Sequence, residues 1–255
     1  MKYLFLLLSI ICLSITNVFR PVHVFMIGDS TMADKPEKAI PEYGWGQVLH
    51  YFFNDSVIVD NHARNGRSSK SFINEGRWTE VMSRIQKGDY VIIQFGHNDS
   101  KPDTARYTNP FTTYKENLEK YVLETREKGA IPILCTSIVR RHFKEDGTLK
   151  DTHGDYLIAA RQVAKENDVY FIDMEEKTKQ LVESMGPEQS TRLYLHFESD
   201  VYPLRPKGLE DNTHLSQEGA FRIAGLAVQG LKEADIPLTG YLVGKEKPKQ
   251  ISSQK

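Results

Sequence analysis

Cysteine is nearly absent from this chain: its 255 residues hold two, Cys12 and Cys135. Cys12 falls in an apolar stretch at the start, which leaves Cys135 without an intramolecular partner. No disulfide is therefore expected, and the fold must stand on its core. Cys135 lies in the apolar run IPILCTS, where a buried, inert thiol is expected rather than a nucleophile. An excess of charge of either sign is also missing. Lys and Arg number 33 against 34 Asp and Glu, a formal net charge of -1. That removes the global electrostatic case for nucleic acid or anionic lipid as a partner. Neither GxGxxG nor GxxxxGK[ST] occurs, so nucleotide binding has no support. The eight histidines show no HExxH or comparable spacing, so no metal and no cofactor is expected.

Long apolar runs are missing everywhere but the beginning. MKYLFLLLSIICLSIT carries one early lysine and then an almost unbroken apolar run from Tyr3 to Ile15. That is the layout of a secretory signal peptide, expected over residues 1–19 with cleavage near Thr16 to Phe19. The run is short for a bilayer span, which needs ~20 residues. Ile10 and Ile11 are bulky where a lipoprotein would place small residues before its cysteine. The expectation is export, to the periplasm or the exterior, with no membrane association after cleavage; a retained anchor is the competing reading.

What the chain does have is alternation. Strand-like runs stand at 22–27 (VHVFMI), 56–61, 89–95 (DYVIIQF), 130–137 and 169–173. Between and after them, apolar residues recur at helical spacing over 44–54, 77–88, 112–129, 154–167, 174–186 and 216–234. Strands separated by helices imply βαβ units, a parallel sheet and helices on both faces. The predicted fold is a three-layer α/β/α sandwich with a parallel five-stranded sheet. No linker or repeat divides it, so a single domain is expected over 20–240, followed by a polar, lysine-rich tail over 241–255.

In open parallel sheets ligands bind beyond the carboxyl ends of the strands. The loops there hold Gly28-Asp29-Ser30, then NHARNGRSSKSF with Gly66, then Gly96-His97-Asn98-Asp99. Asp211 and His214 precede the last helix, in DNTHLSQEGA. Each residue type serves acyl transfer. A serine hydroxyl is a weak nucleophile until a base takes its proton; Ser30 is the candidate nucleophile and His214 the base. Asp211 can orient the imidazole and stabilise its charged form. The backbone N–H groups of Ser30 and Gly66 and the side-chain amide of Asn98 are candidate oxyanion donors.

These blocks, in this order across nearly the whole chain, resemble the SGNH (GDSL-like) hydrolases. Within them GDSTMADK, NGRSSKSF, QFGHNDSKPDTARYT, TSIVRRHF and DNTHLSQEGA are most similar to the rhamnogalacturonan acetylesterases. Thr31 stands where the longer GDSL form has leucine. The resemblance implies a flavodoxin-like α/β/α fold and a serine esterase without metal or cofactor. It implies an acetylated pectic oligo- or polysaccharide as partner. Galacturonan carries carboxylates, which arginine matches in a bidentate fork; Arg67, Arg140 and Arg141 are candidate substrate contacts. Tyr43, Trp45 and Trp78 are either sugar-stacking residues or core. His97 reads as a structural or supporting group, His153 as a cap or a substrate contact. The rival readings are an esterase, lipase or thioesterase for another acyl substrate, a deacetylase of another glycan such as xylan, and a non-catalytic carbohydrate-binding module. Oligomeric state has no sequence signal.

Overall fold

Five runs rich in Val, Ile and Phe pair into one parallel sheet. They are β1 (Val22–Gly28), β2 (Val57–Asn61), β3 (Tyr90–Gln94), β4 (Ile131–Cys135) and β5 (Tyr170–Ile172), in the order β2-β1-β3-β4-β5. The structure is a computed structural model that describes residues 20–244. The expected leader over 1–19 and the tail beyond 244 lie outside the described residues. At its start the tail is tied to the body, with Val243 N–H donating to the carbonyl of Phe52.

Strand side chains alternate between faces, and the central strands are apolar on both. Val24 and Met26 of β1 join one buried cluster with Ile92, Trp45 and Leu49. Phe25 and Ile27 join another with Val91, Ile93 and Phe72. The first layer is closed by α5 (Met174–Gln189) and α6 (Gln217–Glu233). The second is closed by α1 (Ser69–Asn74), α2 (Arg77–Arg84), α3 (Lys115–Glu127) and α4 (Asp155–Glu166). This is the expected α/β/α sandwich. Trp45 and Trp78 are both buried in it and so belong to the core. Cys135 is buried too, and burial pushes its thiol pKa up, which leaves it inert.

Three segments depart from expectation. The helix expected over 44–54 is instead a 3-10 segment, Gly46–Phe52. Its leading N–H groups are taken by the loop after β1: Trp45 donates to Thr31 O at 2.9 Å and Gly46 to Met32 O at 3.2 Å. The loop expected after β2 contains α1, started by a reciprocal capping box between Ser68 and Ser71. The segment read as a lead-in to the last helix is a strand, β7 (Leu209–Leu215), paired antiparallel with β6 (Tyr194–Phe197). Its run of Glu, Asp, Asn, Thr and His lacks the apolar alternation that marks a strand. Backbone pairing such as Leu195 with Asp211 holds it regardless.

The hairpin is locked to α6. Ser216 caps the helix by accepting from Gly219 N–H at 3.1 Å, and its own N–H donates to Leu193 O at 3.1 Å. A Cβ added at Gly219 would stand 1.9 Å from Leu193 O. Gly219→Ala should therefore destabilise the fold despite alanine's better helix propensity, by about 1–3 kcal/mol. A lower midpoint in urea unfolding checks this; an unchanged or higher midpoint contradicts it.

Candidate active site

The strand order places the site. β1 is flanked by β2 on one side and β3 on the other, so the chain leaves β1 and β3 in opposite directions and opens a crevice at their carboxyl ends. Ser30 stands just past β1, and Asn98 stands four residues past β3. β7 brings the remaining pair. His214 Nε2 lies 3.0 Å from Ser30 Oγ, and His214 Nδ1 lies 2.7 Å from Asp211 Oδ2. Asp211 is well fixed: its Oδ1 accepts the backbone N–H groups of Thr213 at 2.7 Å and His214 at 3.0 Å. Partial burial pushes its carboxyl up, but the imidazole and these N–H donors outweigh it and hold the pKa down at about 2. A carboxylate anchored in this way can fix the ring tautomer with Nδ1 protonated, which leaves Nε2 free to accept the serine proton.

The loops of the expected oxyanion donors are tied to the turn at Ser30 and to one another: Arg64 N–H donates to Gly28 O at 3.0 Å, and Lys35 links Ser30 O to Asn65 Oδ1. Gly66 has φ +77°, the left-handed region, with open space where a Cβ would be, so backbone conformation alone demands glycine there. Asn98 Nδ2 donates one hydrogen to Arg67 O at 3.1 Å. A side-chain amide has two, so the bond fixes the group while leaving a second donor.

The nucleophile turn rests on buried polar groups. Thr31 Oγ1 donates to Asp29 Oδ1 at 2.8 Å, and Gln94 Nε2 donates to Thr31 Oγ1 at 2.9 Å. Trp45 Nε1 donates to Gln94 Oε1 at 3.0 Å. Thr31, in place of a leucine, joins this relay. Lys35 was not singled out from the sequence. Its side chain is 1 % exposed, and its ammonium donates to Ser30 O at 2.6 Å and Asn65 Oδ1 at 2.7 Å. It also pairs with Glu42 at 2.7 Å. One cation thus ties the nucleophile's carbonyl to the residue before Gly66. A lysine five residues after the serine was the available signal, but surface lysine is the usual fate of that residue type.

Asp99 joins the other two loops. Its Oδ1 accepts Ser69 N–H at 3.0 Å, Ser69 Oγ–H at 2.6 Å and Thr108 Oγ–H at 3.1 Å; its Oδ2 is buried without a partner. Burial pushes its pKa up to about 7 against these donors. His97 and His153 are a buried pair, with Nδ1 and Nε2 3.0 Å apart. The three candidate arginines all engage the protein itself. Arg67 pairs with Glu75 at 2.9 Å, and Arg140 donates to the carbonyls of His97 and Thr152 at 3.0 and 3.1 Å. Arg141 donates to Asn212 Oδ1 at 2.8 Å. Tyr43 bridges to Leu215 on β7. Among the described residues no group of three metal-ligating side chains occurs, and no helix is long and apolar enough to cross a membrane.

A hydrogen-bonded serine, histidine and aspartate at the carboxyl edge of a parallel sheet is the equipment of a serine hydrolase. Comparison with known proteins agrees: the chain belongs to the GDSL-like lipase/acylhydrolase family, whose model matches residues 24–226. It is 45% identical over 227 residues to rhamnogalacturonan acetylesterase RhgT of Bacillus subtilis, covering 89% of this chain and 97% of that protein. It is 37% identical over 222 residues to the probable rhamnogalacturonan acetylesterase YesY of the same species, covering 87% and 97%. Among solved structures, YxiM of B. subtilis superposes with a TM-score of 0.73 at 29% identity, over 85% of this chain and 58% of that one.

Two predictions follow from the buried charges. Lys35→Met combined with Glu42→Gln, which removes both members of the buried pair and leaves only the solvent-accessible Arg205 without its longer contact to Glu42, should lower kcat by about 100-fold with KM little changed, because an ångström of misplacement costs that much. Lys35→Arg should recover part of the loss. Steady-state kinetics on a small ester decides; an unaltered kcat refutes the positioning role. Asp99, protonated in the fold and ionised when unfolded, makes the native state hold one more proton between pH 3.8 and about 7. Its contribution to stability should therefore fall as pH rises through that window and level off above it. Urea unfolding from pH 4 to 8 should show this slope in the native chain and a flatter one in Asp99→Asn; equal slopes would contradict it.

Proposed function

We propose that this chain is a serine esterase that removes O-acetyl groups from a plant cell-wall polysaccharide, with rhamnogalacturonan as its substrate. The observation that carries the reading is the continuous chain of hydrogen bonds from Ser30 through His214 to Asp211. The near full-length similarity to RhgT and YesY supports the substrate class. An exported location, periplasmic or extracellular, belongs to the same proposal, since a polymeric substrate of this kind lies outside the cell.

In this mechanism Ser30 Oγ attacks the acetyl carbonyl carbon while His214 Nε2 takes the hydroxyl proton. The carboxylate of Asp211 stabilises the imidazolium that forms. Negative charge collects on the former carbonyl oxygen, where the N–H groups of Ser30 and Gly66 and the free amide hydrogen of Asn98 receive it. As the tetrahedral intermediate collapses, the bond to the sugar oxygen breaks and His214 returns its proton to that oxygen. Water then attacks the acetylated serine, giving its proton to the same imidazole, and acetate leaves with Ser30 restored. Asp211, with its pKa held at about 2, stays ionised well into acid, so loss of its charge should not limit the rate in mildly acidic solution.

Acetate release from acetylated rhamnogalacturonan, with acetylated xylan beside it, tests the proposal. Release from the pectic polymer, lowered about 10⁴–10⁶-fold in Ser30→Ala, is the expected result. Release from xylan alone keeps the mechanism and discards the substrate. A preference for long-chain over acetyl p-nitrophenyl esters discards the acetylesterase reading.

A further inference from the structure

Beside the crevice lies a second cleft, built by the loop between β4 and α4 and by the start of α5. The loop folds back on itself through a bridge between Phe143 and Leu149. Four cations line the cleft: Arg140, Lys144, Lys150 and Lys179. Two carboxylates line it as well, and both are engaged. Asp151 accepts the backbone N–H groups of His153 and Gly154 at 2.8 Å each, and Glu175 pairs with Arg161 at 3.1 Å. The lysine ion pairs among the described residues are those of Lys35, Lys115, Lys120 and Lys177. None of the three lysines of the cleft is in a close ion pair, although Lys179 stands near enough to Glu175 and Lys144 near enough to Asp146 to act on them, and four cations against two carboxylates leave the lining net positive.

Its walls are also those of the active site. Arg140 Nη2 donates to His97 O, and His153 Nε2 meets His97 Nδ1, next in sequence to Asn98. On the other side Arg141 N–H donates to Asn212 O, beside Asp211. β4 stands two places from β1 in the sheet. At ~4.8 Å per place that is about 10 Å along the carboxyl edge. A polymer lying across β1, β3 and β4 with one sugar at Ser30 would carry a sugar further along its backbone, beyond the immediate neighbour, over the cleft.

We propose that this cleft is a subsite for the carboxylate of a further uronic acid sugar of the polymer, one beyond the immediate neighbour of the sugar being deacetylated. The assignment rests on the proposed pectic substrate and deepens it. The guanidinium of Arg140 is committed to two carbonyls and sets the floor. The flexible ammonium groups of Lys144, Lys150 and Lys179 do the binding, each as a compact point charge. Because two of them are exposed, the attraction is screened by salt.

The probe is trigalacturonate, titrated calorimetrically into the whole chain at low salt, with its methyl ester as the uncharged control. The acid should bind, the ester should bind markedly more weakly, and added salt should weaken only the acid. Replacing all three lysines, Lys144→Gln, Lys150→Gln and Lys179→Gln, should raise the Kd for the acid about tenfold, the sum of three modest ion pairs. An unshifted thermal midpoint would show that the variant is folded. Equal binding of acid and ester, or a triple variant that binds like the native chain, overturns the subsite. Neither measurement involves an acetyl group. Absence of acetate release would therefore defeat the proposed function and leave this binding result standing, and the converse holds equally.

Discussion

Everything at the site depends on the divergence of connections at β1. A parallel strand must send its chain back over one face or the other, and here β1 is joined to β2 across one face while β3 begins the run across the other. The carboxyl ends of β1 and β3 are left uncovered between those crossovers. The backbone there turns sharply and exposes N–H groups, which is what an anion forming in a transition state needs. No single side chain creates this; apolar strands covered on both faces do, because only such strands hold a sheet buried deeply enough to make the crevice rigid.

Rigidity is then reinforced with polar groups, at a cost in burial. Asp29, Thr31, Gln94 and Asp99 are all buried, and each would be expensive to dehydrate alone. They are satisfied by one another and by Trp45, Ser69 and Thr108. The exceptions are one oxygen each on Asp29 and Asp99, and in both residues burial pushes the pKa up. Burial likewise disfavours the charge of Lys35 and pushes its pKa down, against Glu42 and the two oxygen acceptors that surround its ammonium. The outcome is a set of loops cross-linked by charge-assisted bonds rather than by covalent ones, in a chain with no disulfide among its described residues.

Much of this was legible before any coordinates. The five strands were apolar runs bounded by glycine and polar residues, and their alternation with helices dictates the sheet. Ser30, Gly66, Asn98, Asp211 and His214 could be singled out because each stands just past a predicted strand or before a predicted helix. What stayed hidden was of two kinds. β7 is a strand by virtue of its partner β6, and its polar residues carry no periodic sign of it. Lys35, Asp99 and the histidine pair have ordinary residue identities, and their importance comes from burial that only the assembled fold imposes. The arginines show the reverse. Their chemistry suits a carboxylated sugar, yet the fold had already given Arg67, Arg140 and Arg141 protein partners.

The pairing of His97 with His153 has a consequence for proton transfer. His97 stands close enough to His214 for the two to affect one another's charge. A second imidazole so near a catalytic base could compete for the serine proton. Burial is the first obstacle to charging His97, and His153, Arg140 and His214 add repulsion. His153 is likewise held down, to about 3, by burial and then by Arg140. Both rings are therefore held in the neutral form. In the proposed mechanism the proton leaving Ser30 then has one destination, the imidazole that Asp211 holds in place, and the neutral pair beside it forms an uncharged wall between the crevice and the cationic cleft.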